Sequence, residues 1–404
     1  MKRIVIITVS ALLILGVNSN AQFKPEQKPM KETSESISRF AFDLMKKLEK
    51  DKNAVFSPFS ISVALAMTSA GAAGETQEEI NKTFHFDKVN DLHDGFYKTI
   101  KGLEKKESEG LELHIANSLW MEQDYSFLPD YLHLVENKYG SSLHSVDFRS
   151  EQGRTNAMQD INKWVSKNTE EMIEELITPG MLTPLTRLVL ANAIYFYGKW
   201  KHPFDEEMTY QGDFTVKEGE TVRTDFMNIT ERYKYMQDEL VQCVEIPYEG
   251  DGFSLAVILP KEPEGLDYLM EHLDYEYYIQ LETMMMYEEV DLHMPKFKAE
   301  YYLPLQQILM EMGMVEAFSN GADFSNMTGT RDLQIDKVIH KAVFEVNEEG
   351  TEAAGATAVV MMEKSAMPRQ EILFRADHPF IYLIRDNETG NVLFIGKMLD
   401  PSAD

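Results

Sequence analysis

The order of the hydrophobic patterns along the chain is the feature that most restricts its fold. Apolar residues recur at helical spacing early in the sequence, as in residues 34–48. Strand-like patterns, either alternating or wholly apolar, dominate later, as in residues 188–197, 338–346 and 392–397. Helices followed by strands are typical of proteins in which the sheets are mainly antiparallel. The sequence therefore predicts an α+β fold.

The N-terminal residues have the pattern of a secretory signal peptide. Lys2 and Arg3 precede an apolar stretch over residues 4–17, and the small residues that follow end at Ala21. We expect residues 1–21 to be this signal peptide, cleaved near Ala21. The mature protein is then expected to be secreted, either to the extracellular space or to a bacterial periplasm.

The rest of the chain divides into a short leader and one long unit. Residues 22–35 are polar and contain Pro25 and Pro29, which predicts a flexible leader. Residues 36–404 contain no long linker, repeat or low-complexity tract. We therefore expect a single domain over residues 36–404.

The charge balance argues against two classes of partner. The chain has 67 acidic and 39 basic residues, giving a formal net charge of −28. Nucleic acid and anionic membrane surfaces would be repelled by this charge, because binding to them depends on clustered Lys and Arg. We expect neither partner.

The sequence signatures of common catalytic centres are missing. No G-x-S-x-G, H-E-x-x-H, G-x-x-x-x-G-K-[ST] or G-x-G-x-x-G motif occurs. The ten histidines are scattered, and the one cysteine, Cys243, lies in an alternating apolar stretch typical of a buried thiol. We therefore expect no metal site, no cofactor and no enzymatic activity.

One segment near the C-terminus, residues 348–369, has an unusual composition. Residues 353–362 contain no charge, proline or aromatic side chain. Alternate positions are small or apolar, so the segment could lie in a sheet as well as form an exposed loop. These positions are Thr351, Ala353, Gly355, Thr357, Val359 and Met361. Composition alone equally allows a plain core strand or an alanine-rich helix over residues 351–362.

Motifs along the whole chain resemble those of the serpin family. Residues 348–357, EEGTEAAGAT, are similar to the hinge of inhibitory serpins, and residues 374–384, FRADHPFIYLI, to the C-terminal signature of the family. NAVFSPFSIS at 53–62 and LANAIYFYGKW at 190–200 resemble its buried helix start and central strand. The motifs occur in the family's order, and the resemblance covers about residues 34–401.

This resemblance implies both a fold and a mechanism. The fold would have three mainly antiparallel sheets, eight or nine helices and an exposed reactive-centre loop over about residues 348–373. The protein would be a monomeric suicide substrate of serine, or also cysteine, endopeptidases. Its cut loop would insert into the large sheet and hold the protease in a covalent complex. The alternatives are a non-inhibitory carrier or chaperone with the same fold, and a decoy substrate that is cut without trapping.

The resemblance also assigns roles to residues of the loop. The hinge would consist of Glu348, Gly350, Thr351, Glu352, Ala353, Ala354, Gly355, Ala356 and Thr357. Small uncharged side chains on the inward register suit insertion, because a buried unpaired charge costs several kcal/mol. The family's usual loop length places the reactive bond between Lys364 and Ser365, which favours trypsin-like proteases. Met361, Met362 and Arg369 are alternative bait residues.

Five further positions match family residues outside the loop. Ser57, Ser60, Asn192 and His340 would form a polar cluster beneath the sheet that opens, and Trp200 would cap the point where the loop first inserts. A structural interpretation is also open, in which these are buried polar groups whose hydrogen bonds are simply satisfied.

Overall fold

The structure, a computed structural model, describes residues 28–351 and 372–403. Within these ranges the chain forms ten α-helices: α1 (Lys28–Met45), α2 (Pro58–Gly71), α3 (Gly74–Thr83), α4 (Leu92–Glu104), α5 (Pro129–Tyr139), α6 (Glu151–Asn168), α7 (Leu266–His272), α8 (Tyr275–Met284), α9 (Gln306–Glu311) and α10 (Ser325–Thr328). The strands of the same ranges are β1 (Ala54–Phe56), β2 (Leu111–Glu122), β3 (Ser142–Val146), β4 (Leu188–Lys199), β5 (Tyr210–Lys217), β6 (Glu220–Gln237), β7 (Val241–Pro247), β8 (Phe253–Pro260), β9 (Met286–Pro295), β10 (Phe297–Pro304), β11 (Ile339–Val346), β12 (Gly350–Thr351), β13 (Ile372–Arg375), β14 (Phe380–Asp386) and β15 (Val392–Met398).

The predicted α+β fold is confirmed. The helix count of the described chain exceeds the implied eight or nine because it includes α9 and α10, which are short helices of six and four residues. Pairing is mainly antiparallel; among the described strands, β2 with β3 and β9 with β13 are the parallel pairs.

The described strands make two hydrogen-bonded sheets where the resemblance implies three. The larger has the order β1-β15-β14-β8-β7-β6-β9-β13, with β5 also on β6. Its long strand β6 pairs with β5 and β9 over most of its length and with β7 at its C-terminal end. Strand β6 therefore joins β5 and β9 to β7, and the strands on its two sides form one continuous hydrogen-bonded sheet.

The smaller sheet has the order β10-β11-β12-β4-β2-β3 in the described part of the chain. Its strand β12 is only two residues long and lies between β11 and β4. Thr351 pairs with Val346 on one side, while Gly350 and Thr351 pair with Lys199 and Gly198 on the other. The start of the predicted hinge therefore lies inside the sheet.

The main hydrophobic core lies between the two sheets and around α2. Phe344 on β11 and Tyr382 on β14 are buried, with ring centroids 4.9 Å apart. Helix α2 begins at Pro58, and the Ser57 hydroxyl caps it by accepting a hydrogen bond from the Ser60 N–H. Since nearly all of its residues are small or apolar, α2 is buried on almost every side.

A second, smaller core holds α6 against β2 and β4. Ile161 and Val165 of the helix pack in a buried cluster with Trp120 and Ala191 from the two strands. Asn162 ties the helix to the following loop, accepting hydrogen bonds from two backbone N–H groups and donating to the carbonyl oxygen of Ile177. Helix α6 therefore covers part of the smaller sheet through contacts separate from the main core.

The N-terminal part of the structure differs from the predicted leader over residues 22–35. Helix α1 begins at Lys28, and the side chains of Thr33 and Ser34 are buried. A Cβ at Gly95 would lie 2.3 Å from the Thr33 hydroxyl oxygen, so this glycine leaves room for the helix to pack. The polar composition did not indicate that one face of α1 is buried, because short hydroxyl side chains occupy that face where apolar ones are usual. The predicted signal peptide lies outside the described residues, and no described helix is long and apolar enough to cross a membrane.

Candidate functional site

A tight turn joins β11 to β12 and begins the hinge. The Asn347 side-chain oxygen accepts hydrogen bonds from the N–H groups of Glu349 and Gly350, at 3.0 and 3.2 Å. The Asn347 N–H donates to the Gly350 carbonyl oxygen at 3.0 Å. These bonds reverse the chain within four residues, so β12 lies antiparallel to β11.

Because Gly350 has no side chain, the turn can lie in direct contact with the backbone of β4. A Cβ on this residue would lie 2.0 Å from the Gly198 carbonyl oxygen and 2.9 Å from the Lys199 Cα. Both neighbours are backbone atoms that cannot rotate away. Any other residue at position 350 would push the hinge out of the sheet.

Trp200, which directly follows β4, is hydrogen-bonded to the same turn. Its indole N–H donates to the Asn347 carbonyl oxygen at 2.9 Å, and its backbone N–H donates to the Glu349 carbonyl oxygen at 2.8 Å. The indole stacks on Tyr248, whose hydroxyl lies 2.6 Å from the Thr351 hydroxyl. Burial holds the pKa of Tyr248 far above its ordinary value, so this hydroxyl keeps its proton. The structure therefore places Trp200 where the hinge meets the sheet.

Glu348 anchors the turn through a buried charge. The residue is 5% exposed. Its carboxylate lies 2.8 Å from the Lys296 ammonium and accepts a hydrogen bond from the Thr209 hydroxyl at 2.7 Å. Burial alone would raise the pKa of Glu348, but the hydrogen bonds from Lys296 and Thr209 outweigh it and hold the pKa below its ordinary value. Sequence analysis did not identify Lys296 or Thr209 as partners.

The four residues expected beneath the sheet lie together. The Ser57 N–H donates to Nε2 of His340 at 2.9 Å, and the Ser60 hydroxyl donates to the side-chain oxygen of Asn192. Burial lowers the pKa of His340 to about 3, so its ring is neutral. Since Nε2 accepts a hydrogen bond, the proton of the ring is on Nδ1.

Asn117 extends this cluster and was missed by sequence analysis. It lies on β2 directly opposite Asn192 on β4 and accepts a hydrogen bond from that side chain at 2.5 Å. It also donates to the Tyr139 carbonyl oxygen at 2.9 Å, which connects the sheet to α5. Asparagine is uncommon in strands, and its position within the β2 pattern was the signal that could have revealed it.

A cavity of about 790 Å³ opens beside the polar cluster. Its walls include residues of β4, β11 and α2, among them Asn192, His340 and Ser60. The two strands that flank β12 therefore also bound this cavity further along the sheet.

Several predicted site residues lie outside the described residues. They are the reactive bond Lys364–Ser365, the hinge residues Glu352, Ala353, Ala354, Gly355, Ala356 and Thr357, and the alternative bait residues Met361, Met362 and Arg369. The described chain resumes at Ile372, where β13 runs parallel to β9. No group of three or more potential metal ligands occurs in the part of the chain that the structure describes.

Comparisons with known proteins agree with this architecture. The model of one protein family, described as Serpin (serine protease inhibitor), matches residues 35–401. The leukocyte elastase inhibitor of Xenopus laevis is 40% identical over 382 residues, which cover 92% of this chain and 100% of the relative. A crystal structure of maspin has a TM-score of 0.84 at 28% identity, covering 92% of this chain and 100% of that one. Human thyroxine-binding globulin has a TM-score of 0.82 at 29% identity, covering 93% and 100%.

Proposed function

The chain belongs to the serpin family of serine protease inhibitors, and we propose that it is a single-use trap whose bait loop is cut after Lys364. The family indicated by the sequence motifs is thereby confirmed. Members of this family are not catalytic enzymes, so the protein is not one either. The bait residue, the target and the location of the protein are the proposed parts.

The position of β12 carries the proposal. Gly350 and Thr351 are hydrogen-bonded between β11 and β4. A chain continuing from Thr351 in the same direction would extend a strand between them, gaining main-chain hydrogen bonds on both sides. The inward positions that follow, Ala353, Gly355 and Thr357, are small and uncharged. Insertion would therefore bury no charge and need little rearrangement of side chains.

The trapping chemistry begins as ordinary proteolysis. The serine oxygen of the protease attacks the carbonyl carbon of Lys364, the Lys364–Ser365 bond breaks, and the Ser365 amine leaves with a proton from the protease's general acid. Lys364 is then joined to the protease as an ester. Insertion of the cut loop would move the attached protease before water hydrolyses that ester. A cysteine endopeptidase would be held by the same steps through a thioester.

Two classes of target follow from the bait residues. Lys364 fits the acidic primary pocket of trypsin-like proteases. The relative named leukocyte elastase inhibitor favours a second candidate, an elastase-like protease that would cut after Met361 or Met362. Arg369 follows Pro368 and lies further from the hinge, so a cut there would exert less tension on the protease.

We further propose that the protein is exported and acts as a monomer. The signal-like residues 1–21 precede the region that matches the family, which begins at residue 35. N-terminal sequencing of the protein recovered outside the cell should begin at Gln22. An intact N-terminus on cell-associated protein would contradict export.

The first experiment mixes the mature protein with trypsin and, separately, with elastase, followed by denaturing gels and mass spectrometry. The expected result is a denaturation-resistant complex with trypsin and a released fragment that begins at Ser365. A complex formed only with elastase, and a fragment beginning at Met362 or Glu363, would instead identify Met361 or Met362 as the bait residue. Cleavage by both proteases without a complex would overturn trapping and favour the carrier or decoy alternatives.

A further inference from the structure

The cavity beside the polar cluster has the size and the lining of a site for a small molecule. Its volume of about 790 Å³ lies within the range of about 300–1,000 Å³ that is usual for such sites. Its walls are mainly apolar and include Ile61, Leu65, Leu190 and Val338. Leu185, which also lines the cavity, is 80% exposed, so part of the rim is apolar as well. An apolar occupant would remove this surface from water.

The cavity lies between two strands of the smaller sheet. Gly198 of β4 and Val346 of β11 both pair with Thr351 of β12. Six residues earlier on these strands, Asn192 and His340 are therefore level with each other, and both line the cavity. No strand of the described chain separates β4 from β11 at this level. A molecule in the cavity would thus lie between these two residues.

One buried donor in the cavity wall has no protein partner. His340 is 7% exposed, and its neutral ring carries the proton on Nδ1 because Nε2 accepts the hydrogen bond from the Ser57 N–H. The Nδ1–H group makes no hydrogen bond within residues 28–351 and 372–403. A buried donor without an acceptor costs free energy. A ligand that brings an acceptor to this point would remove that cost.

The charges around the cavity favour an uncharged ligand. The charged lining residues are Arg187, Lys337, Lys341, Asp332 and Asp336. The Lys341 ammonium lies 2.6 Å from the Glu300 carboxylate, which leaves two cations and two carboxylates around the cavity. A neutral imidazole gives a buried carboxylate no countercharge, so an anionic group beside His340 would be unfavourable. A carbonyl oxygen accepts a hydrogen bond without this penalty.

We propose that the cavity binds a small, uncharged, apolar molecule whose carbonyl oxygen accepts a hydrogen bond from the Nδ1–H group of His340. Under the proposed function the same space receives the cut loop, because β12 enters it between β4 and β11. The bound ligand and the inserted loop would therefore exclude each other. That consequence rests on the proposed inhibitory function, whereas the binding site itself does not.

The neutral fluorescent ketone PRODAN tests the site on the uncut protein. Its emission should shift to shorter wavelength and saturate at one dye per chain. Ala64→Phe places a larger side chain in the cavity from α2 and should weaken binding about tenfold or more. His133→Phe, at an exposed position on α5, adds the same side chain away from the cavity and should bind the dye like the wild type. Melting curves check that both variants fold. A lack of saturable binding, or equal affinity in folded Ala64→Phe and wild type, would overturn the proposal.

Two matched ligands test the hydrogen bond on the wild-type protein. 2-Acetylnaphthalene and 2-ethylnaphthalene have similar shapes, but only the first has a carbonyl oxygen. Both should displace PRODAN. In ¹H–¹⁵N spectra of histidine-labelled protein, only the ketone should move the Nδ1–H proton signal of His340 downfield, because it alone forms the new hydrogen bond. Equal shifts with the two ligands would overturn the proposal.

Trypsin separates the site from the inhibitory mechanism. Saturating PRODAN should increase the fraction of protein that is cut without forming a complex, and the complex itself should bind no dye. Trypsin activity on a small chromogenic substrate controls for effects of the dye on the protease. Saturable binding by a protein that traps no protease, with or without the dye, would leave the site standing and sink only the inhibitory mechanism. Equal trapping at saturating dye, or dye retained by the covalent complex, would overturn the site and leave the mechanism intact.

Discussion

The indole ring of Trp200 lies on the ring of Tyr248, with centroids 4.7 Å apart and an angle of 14° between the planes. Each of the two side chains is also hydrogen-bonded to the segment around the hinge start: Trp200 to the Asn347 carbonyl oxygen in the turn, and Tyr248 to the Thr351 hydroxyl in the hinge. The stacked pair therefore fixes both ends of the turn that leads into β12. In the proposed mechanism, loop insertion would start from this turn, which is already held in the sheet.

Removing the Tyr248 hydroxyl should loosen this attachment without disturbing the stack. Tyr248→Phe loses the hydrogen bond to Thr351 and leaves a buried hydroxyl on the partner, so the free energy of unfolding should fall by about 1 kcal/mol. Tyr382→Phe is the matched control, because the buried Tyr382 hydroxyl has no hydrogen-bond partner in the described parts of the chain. Denaturant titration measures both, and an equal loss in the two variants would contradict the role of Tyr248.

The hinge should tolerate a charge on one register and not on the other. Ala353→Glu places an anion on the side that turns inward when the loop inserts, where an unpaired charge costs several kcal/mol. We expect the variant to be cut by trypsin with little or no covalent complex. Ala354→Glu carries the same change on the opposite face, and should still form the complex. The ratio of complex to cleaved protein on a denaturing gel distinguishes them, and similar ratios would argue against insertion as a strand.

Sequence reasoning identified Ser57, Ser60 and Asn192 of the polar cluster because they lie in the motifs at residues 53–62 and 190–200. Ser57 and His340 are 283 positions apart, yet the structure joins them directly. Hydrophobic periodicity alone indicated helices and strands and could not have paired them. The resemblance supplied the long-range relationship that local patterns lack.

The parts that were missed depend on contacts between distant segments. The partners of Glu348 come from positions 209 and 296, and neither lies in a pattern that signals an ion pair. Thr33 of helix α1 packs over Gly95, a relationship that the polar composition conceals. Such features follow from the tertiary arrangement and could not be read from composition or spacing.

Glu348 should contribute stability that depends on pH. Because its pKa is lowered in the folded chain, the contribution is fully present above the ordinary value of about 4.3 and is lost as the pH falls through the lowered value. Glu348→Gln should reduce the free energy of unfolding at pH 7 by about 1.5–3 kcal/mol, the range for hydrogen bonds to charged groups. The difference from wild type should shrink as the pH falls below about 4.3, the ordinary pKa.

The neighbouring substitution Glu349→Gln is the control for this effect. The Glu349 carboxylate makes no ion pair within residues 28–351 and 372–403, so its loss should change the stability little at any pH. Denaturant titrations over the pH series compare the variants. If the deficit of Glu348→Gln stays constant as the pH falls below about 4.3, packing and not the charge is responsible.

His340 should remain neutral well below the pH at which histidine ordinarily titrates. Burial lowers its pKa to about 3, whereas the unfolded chain takes up the proton near pH 6.5. Between these values the folded state is penalised by about 1.4 kcal/mol per pH unit, so stability should fall as the pH is lowered. His340→Gln, which can still accept the Ser57 hydrogen bond, should show a shallower fall. In ¹H–¹⁵N spectra of histidine-labelled protein, the His340 ring should stay unprotonated at Nε2 and its signals should not shift between about pH 8 and pH 5. A titration midpoint near that of the unfolded chain would mean that the ring exchanges with water, and that the polar cluster opens readily in the folded state.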